Sequence, residues 1–150
     1  MIKSDYLQKS IRAMRYLFYK DLSISDQQYI HQILDEKLVK LFWKLKKEDR
    51  AHSLEVLTRM KTLSNDHKLH ELALLHDIGK VCSDIGWLGR IFADIGLNRS
   101  LNAKNYKKHE KLGLELLRDL SNENEESDTV YNYNNNLIEN RHELLERTDY

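Results

Sequence analysis

Proline is absent from the 150 residues, and glycine occurs five times, four of them between Gly79 and Gly96. With so few chain breakers, long helices are easy to accommodate and strand-turn-strand patterns find little punctuation. One cysteine, Cys82, excludes an intramolecular disulfide and fits a reducing, cytoplasmic setting. Charge of one sign is also missing: 24 basic and 24 acidic residues cancel, so no global field points to duplex nucleic acid or an anionic membrane. No apolar run approaches the roughly 20 residues that span a bilayer. The basic start, "MIKSDYLQKSIRAMRYLFYK", reads as an amphipathic helix rather than a transit peptide.

What is present is helical periodicity. Leu7, Ile11, Met14 and Phe18 share one face of a first helix over residues 5–20. Ser25 and Gln28 form a capping-box pattern for a second helix, with Ile30, Leu34, Leu38, Leu41 or Phe42, and Leu45 inward. A third helix runs to about residue 60, and a fourth begins near His67. A short helix is expected over residues 87–94 and a strong one over 105–120. An acidic loop, the polar connection "YNYNNN" and a last helix over 137–148 follow. The expected architecture is a single all-α domain over residues 1–150, with N-terminal helices in 1–48 and a motif-bearing bundle in 49–150.

The histidines fall unevenly on these helices. On a helix, residues three or four apart share a face. His76, in "LALLHDIGK", lies with Leu72 and Ala73, and the adjacent Asp77 with Ala73 and Leu74. His52 precedes Val56 and Met60 on its face. His109 heads a stripe of Leu112, Gly113, Leu116, Leu117 and Leu120, while His142 lies a turn from Ile138 and Leu145. His31, His67 and His70 sit among polar neighbours and read as surface residues. A buried carboxylate is costly unless an opposite charge or a metal compensates it. Imidazole and carboxylate together suit a divalent ion such as zinc, manganese or iron.

"DRAHSLEVLTRM", "LALLHDIGK" and "KKHEKLGLELLRDL", with a histidine 24 residues before the His-Asp doublet, resemble the successive motifs of the HD-domain metal-dependent phosphohydrolases. The resemblance covers residues 49–120 and extends more weakly to His142. It implies a helical bundle holding one or two divalent ions (manganese, iron, cobalt, magnesium or zinc). His52, His76 and Asp77 match the first-motif histidine and the doublet, and His109 and His142 match the further histidines of two-metal members. Gly79 matches the glycine at which the helix turns away, and Lys80 the lysine near the substrate phosphate. Asp77 and Lys80 are the implied catalytic residues. The implied substrate is a small phosphorylated molecule, a phosphomonoester or phosphodiester such as a nucleotide.

The family also closes its metal shell with a late aspartate, for which Asp128 and Asp149 are the candidates. Asp128 is expected in a loop. Asp149 follows His142 by seven residues, about 10 Å along a straight helix axis, and is read as a solvated terminal carboxylate. An incomplete shell would instead suit a noncatalytic HD-like binding or scaffold module. Arg50, Arg90 and Lys108 are candidate phosphate contacts, each otherwise a surface charge. Trp87 and Phe92 could wall a pocket for a base but are read first as packing the glycine-rich segment, and Cys82 lacks a histidine partner for nucleophilic chemistry.

Overall fold

A computed structural model describes residues 20–83, 108–121 and 127–150. The expected helices over residues 5–20 and 87–94, the acidic loop's centre, and Trp87, Arg90 and Phe92 lie outside the described residues, apart from Lys20. Among the described residues every regular element is helical.

Helix α1 spans Ile24–Ile33 and α2 spans Glu36–Phe42. The expected second helix is therefore two. Its start is capped by Ser23 and Asp26, each side chain bonding the other's backbone N–H, rather than by Ser25 and Gln28. The break comes at Asp35, whose carboxylate accepts the Leu38 amide at 2.9 Å and so starts a new helix. The inward face survives the break: Ile30, Leu34, Leu38, Leu41, Phe42 and Leu45 are all buried.

Helix α3, Lys47–Leu63, and helix α4, His67–Leu75, pack against each other as the centre of the bundle. They bury Val56, Leu57 and Met60 from α3 with Leu72, Leu74 and Leu75 from α4 in one core. Full burial of such side chains contributes roughly 1.5–3 kcal/mol each. A 3-10 turn, Ile78–Cys82, follows α4 and lies against α5, His109–Leu120.

The remaining chain departs most from expectation. "YNYNNN" is not a solvated connection: it ends α6, Asp128–Tyr133, and continues into a π-helical turn, Asn134–Glu139. Its polar groups can be buried because they are bonded. Asn132 donates to the Lys68 carbonyl at 2.8 Å, and Tyr133 donates its hydroxyl proton to the His76 carbonyl at 3.2 Å. Asp128 is the first residue of α6, not a loop residue. The expected last helix is interrupted at residues 140–142, and α7, Glu143–Thr148, starts afresh with His142 as its N-cap.

Candidate metal centre

Three elements deliver the site. Helix α3 presents Asp49, His52 and Val56 on one buried face, spaced by three and four. Helix α4 ends in His76, whose backbone N–H still bonds Leu72 at 2.8 Å. There the chain tightens from α to 3-10 geometry. In a 3-10 turn residues i and i+3 eclipse, which stacks Lys80 over Asp77 and sets Lys80 Nζ 2.5 Å from Asp77 Oδ2. Asp149 comes just after α7, anchored by its own N–H to the Leu145 carbonyl at 2.9 Å.

His52 Nε2 lies 2.9 Å from Asp149 Oδ1, and His76 Nε2 lies 3.7 Å from that same oxygen. One ligand atom from each of these three residues falls within 4.8 Å of the others. Asp77 adjoins the cluster, with Oδ2 3.5 Å from His76 Nε2 and Oδ1 3.1 Å from His109 Nε2. His52, His76, Asp77 and His109 are thus brought together. His142 is not one of the three clustered residues, and its Nδ1 accepts the Leu144 amide at 3.2 Å as a helix cap. The reading of Asp149 as solvated is corrected, because the interrupted final helix folds it back against α3.

Gly79 lies in the 3-10 turn that follows α4 and also has a packing role. A Cβ on Gly79 would stand 1.6 Å from the His109 carbonyl oxygen and 2.6 Å from the Gly113 nitrogen. Gly79 lets the 3-10 turn and α5 touch, and that contact brings His109 to Asp77. A Cβ on Gly113 would in turn meet the Tyr133 hydroxyl at 2.3 Å.

The electrostatics follow from burial and pairing. Burial raises the Asp77 carboxyl, but Lys80, His76 and His109 override it and hold it well below the usual carboxylate range. Asp149 is likewise raised by burial and held far lower by His52 and His76. Burial lowers His76, yet Asp77 and Asp149 outweigh it and raise the imidazole above its ordinary value. Burial and Glu115 push the Cys82 thiol up, away from nucleophilic use.

His76 provides the test of whether an ion fits. Its Nδ1 is 2.8 Å from the Ala73 carbonyl, an acceptor, so Nδ1 carries the proton of the neutral ring and Nε2 the lone pair. Buried Nε2 has no hydrogen-bond partner among the described residues. Its 3.5 and 3.7 Å separations from two carboxylate oxygens are long for hydrogen bonds. They match the spacing of about 3.4 Å between two ligands that share an ion tetrahedrally with bonds near 2.1 Å. The donor set of imidazoles and carboxylates fits a divalent transition metal.

Several residues have other duties than sequence reasoning gave them, or were missed. Arg50 donates to the Trp43 and Leu45 carbonyls at 3.2 and 2.6 Å and to Asp21 at 2.9 Å, bracing the entry to α3 instead of facing a phosphate. Lys108 is exposed. Asp49, 1% exposed and 3.8 Å from Lys80 Nζ, was legible as the residue three before His52 on its helix face. Arg141 bonds Asp149 Oδ2 at 2.7 Å, and Arg59 bonds the Thr148 and Tyr150 carbonyls at 2.9 and 3.0 Å; neither carried a sequence signal.

An all-helical domain with two imidazoles and a carboxylate meeting beside a lysine-paired aspartate has the donor set of helical domains that can hold a divalent ion. A family model of the HD domain matches residues 50–149, two thirds of the chain and the whole span from His52 to Asp149, and the chain belongs to that family, within the metal-dependent phosphohydrolase superfamily. Comparison with curated proteins and with solved structures gave no match.

Proposed function

We propose that this HD domain is a metal-dependent phosphohydrolase acting on a phosphomonoester or phosphodiester, with nucleotides as the first substrate class to test. The observation that carries the reading is the buried His76 Nε2, which lacks a hydrogen-bond partner among the described residues and faces Asp149 and Asp77. His52, His76 and Asp149 would hold the ion, with Asp77 beside them and His109 available to a second ion through Asp77. When bound, such an ion polarises a phosphoryl oxygen and brings the pKa of water toward neutrality.

The chain's own residues supply the rest. Asp77, kept ionised by Lys80 and His109, accepts a hydrogen bond from the attacking water and aims it at phosphorus. Lys80 places positive charge where a phosphate's negative charge grows, an electrostatic role without proton transfer. His52 and His76 stay oriented by packing and by the Ala73 carbonyl. Asp149 Oδ1, 2.9 Å from His52, supports this reading over a noncatalytic module with an incomplete shell.

The test is metal analysis of the purified protein with phosphatase and phosphodiesterase assays in manganese, iron, cobalt and magnesium. His76→Ala and Asp77→Ala should each abolish turnover, and His76→Ala should also lose the ion. Turnover that survives both substitutions, or an absence of any metal uptake, would sink the reading.

A further inference from the structure

Asp149 uses its two oxygens differently. Oδ1 faces His52 and His76, at 2.9 and 3.7 Å. Oδ2 accepts from Arg141 Nη2 at 2.7 Å, and the same guanidinium donates through Nη1 to Glu110 Oε1 at 2.9 Å. Glu110 stands next to His109 in the first turn of α5. A single planar fork therefore joins the carboxylate at the end of the chain to the helix turn that presents His109 to Asp77.

We propose that Arg141 is a positioning residue that keeps Asp149 a one-oxygen ligand and sets the affinity and coordination number of the bound ion. The inference rests on the metal reading above. A carboxylate with one oxygen held in a charge-assisted bond is biased toward offering an ion only the other. Arginine suits this task because its donors are fixed in a plane and can serve two carboxylates at once, which a lysine ammonium does with less geometric constraint. Outer partners of this kind typically govern ion affinity by about 10–100-fold.

Cobalt(II) titration of the full chain, read by calorimetry and by the visible absorption of the bound ion, tests the assignment without any assay of turnover. Arg141→Ala should bind cobalt about 10–100-fold more weakly, with a weaker visible band that reports a higher coordination number. Arg141→Lys should fall between this variant and the parent in affinity and restore part of the band. Glu110→Ala, which leaves every ligand in place but removes the second anchor that holds the Arg141 fork against Asp149, should weaken binding several-fold and serves as the test if Arg141→Ala does not fold. Metal-free melting of Arg141→Ala should match the parent, since partly exposed ion pairs add little stability. Parent-like affinity and spectrum in Arg141→Ala, or in Glu110→Ala if that variant carries the test, would overturn the role of Arg141 while leaving the metal site intact. A parent chain that takes up no cobalt, or a His76→Ala variant that binds it as well as the parent, would overturn the metal reading and this inference together.

Discussion

At Lys80 a single ammonium offsets a crowd of buried charge. Its nitrogen is 2.5 Å from Asp77 and 3.8 Å from Asp49, and both acids are almost wholly inaccessible. Removing one partner of a buried pair costs about 3–5 kcal/mol where the other charge is left uncompensated, and here His76 and His109 still face Asp77. Lys80→Ala should therefore lower the unfolding free energy of the metal-free protein by about 1–3 kcal/mol, short of that full cost. Urea denaturation should show it, with part of the loss recovered when manganese is added, because an ion near Asp77 supplies positive charge again. A loss under 1 kcal/mol in metal-free protein would contradict the pairing. These residue-level facts were unevenly legible. The His-Asp doublet and Lys80 stand in nine consecutive residues, so a local pattern reveals them. Arg141 could not be seen, because its partner Glu110 is 31 positions away and nothing in either neighbourhood marks the pair.

Between elements, the decisive contact is the seam of the 3-10 turn and α5. Gly79→Ala would drive a methyl group to 1.6 Å from the His109 carbonyl, closer than any real contact, and both partners are backbone-fixed. The seam must open, costing about 1–3 kcal/mol as over-packing commonly does and drawing His109 away from Asp77. Thermal unfolding should record the loss, and the imidazole NMR signals of His109 should shift. Normal stability with an unshifted His109 would refute the account. Apolar spacing found the buried faces of these elements, even where it mistook α1 and α2 for one helix, because the inward face continues across Asp35. It failed on "YNYNNN", where composition looks solvated but Asn132 and Tyr133 are buried with their polar atoms bonded. It also failed on Asp149, whose approach depends on the break at residues 140–142 and not on any periodicity.

For the molecule as a whole, the proposed ion binding would be linked to protonation and stability. An ion that binds only the native state at about 100 times its dissociation constant adds roughly 2.7 kcal/mol, or roughly 5–10 °C in melting temperature at this size. His76 gives this a pH dependence. Burial alone would depress its imidazole, but Asp77 and Asp149 raise it above the ordinary value, so its protonated form stabilises the metal-free protein below about pH 6.5. That contribution disappears as pH rises through the raised native value, while the ion requires the deprotonated ring. The metal-induced increase in melting temperature should therefore grow with pH across neutrality, and calorimetry in buffers of different ionisation enthalpy should register proton release on binding. An increase that is flat or shrinking with pH would contradict this linkage. Asp77 and Asp149 act in the opposite sense: their depressed native pKa values give stability that is present above about pH 4 and lost in acid.

His52 and Asp149 meet across 97 positions of sequence. Contacts of such long range form only after much of the chain is already ordered, since loop closure must precede their reward. On the proposed metal reading, an ion at this junction would find no such pair to grip in the early chain. Its effect would fall on the reverse step, the loaded protein opening more slowly than the metal-free one.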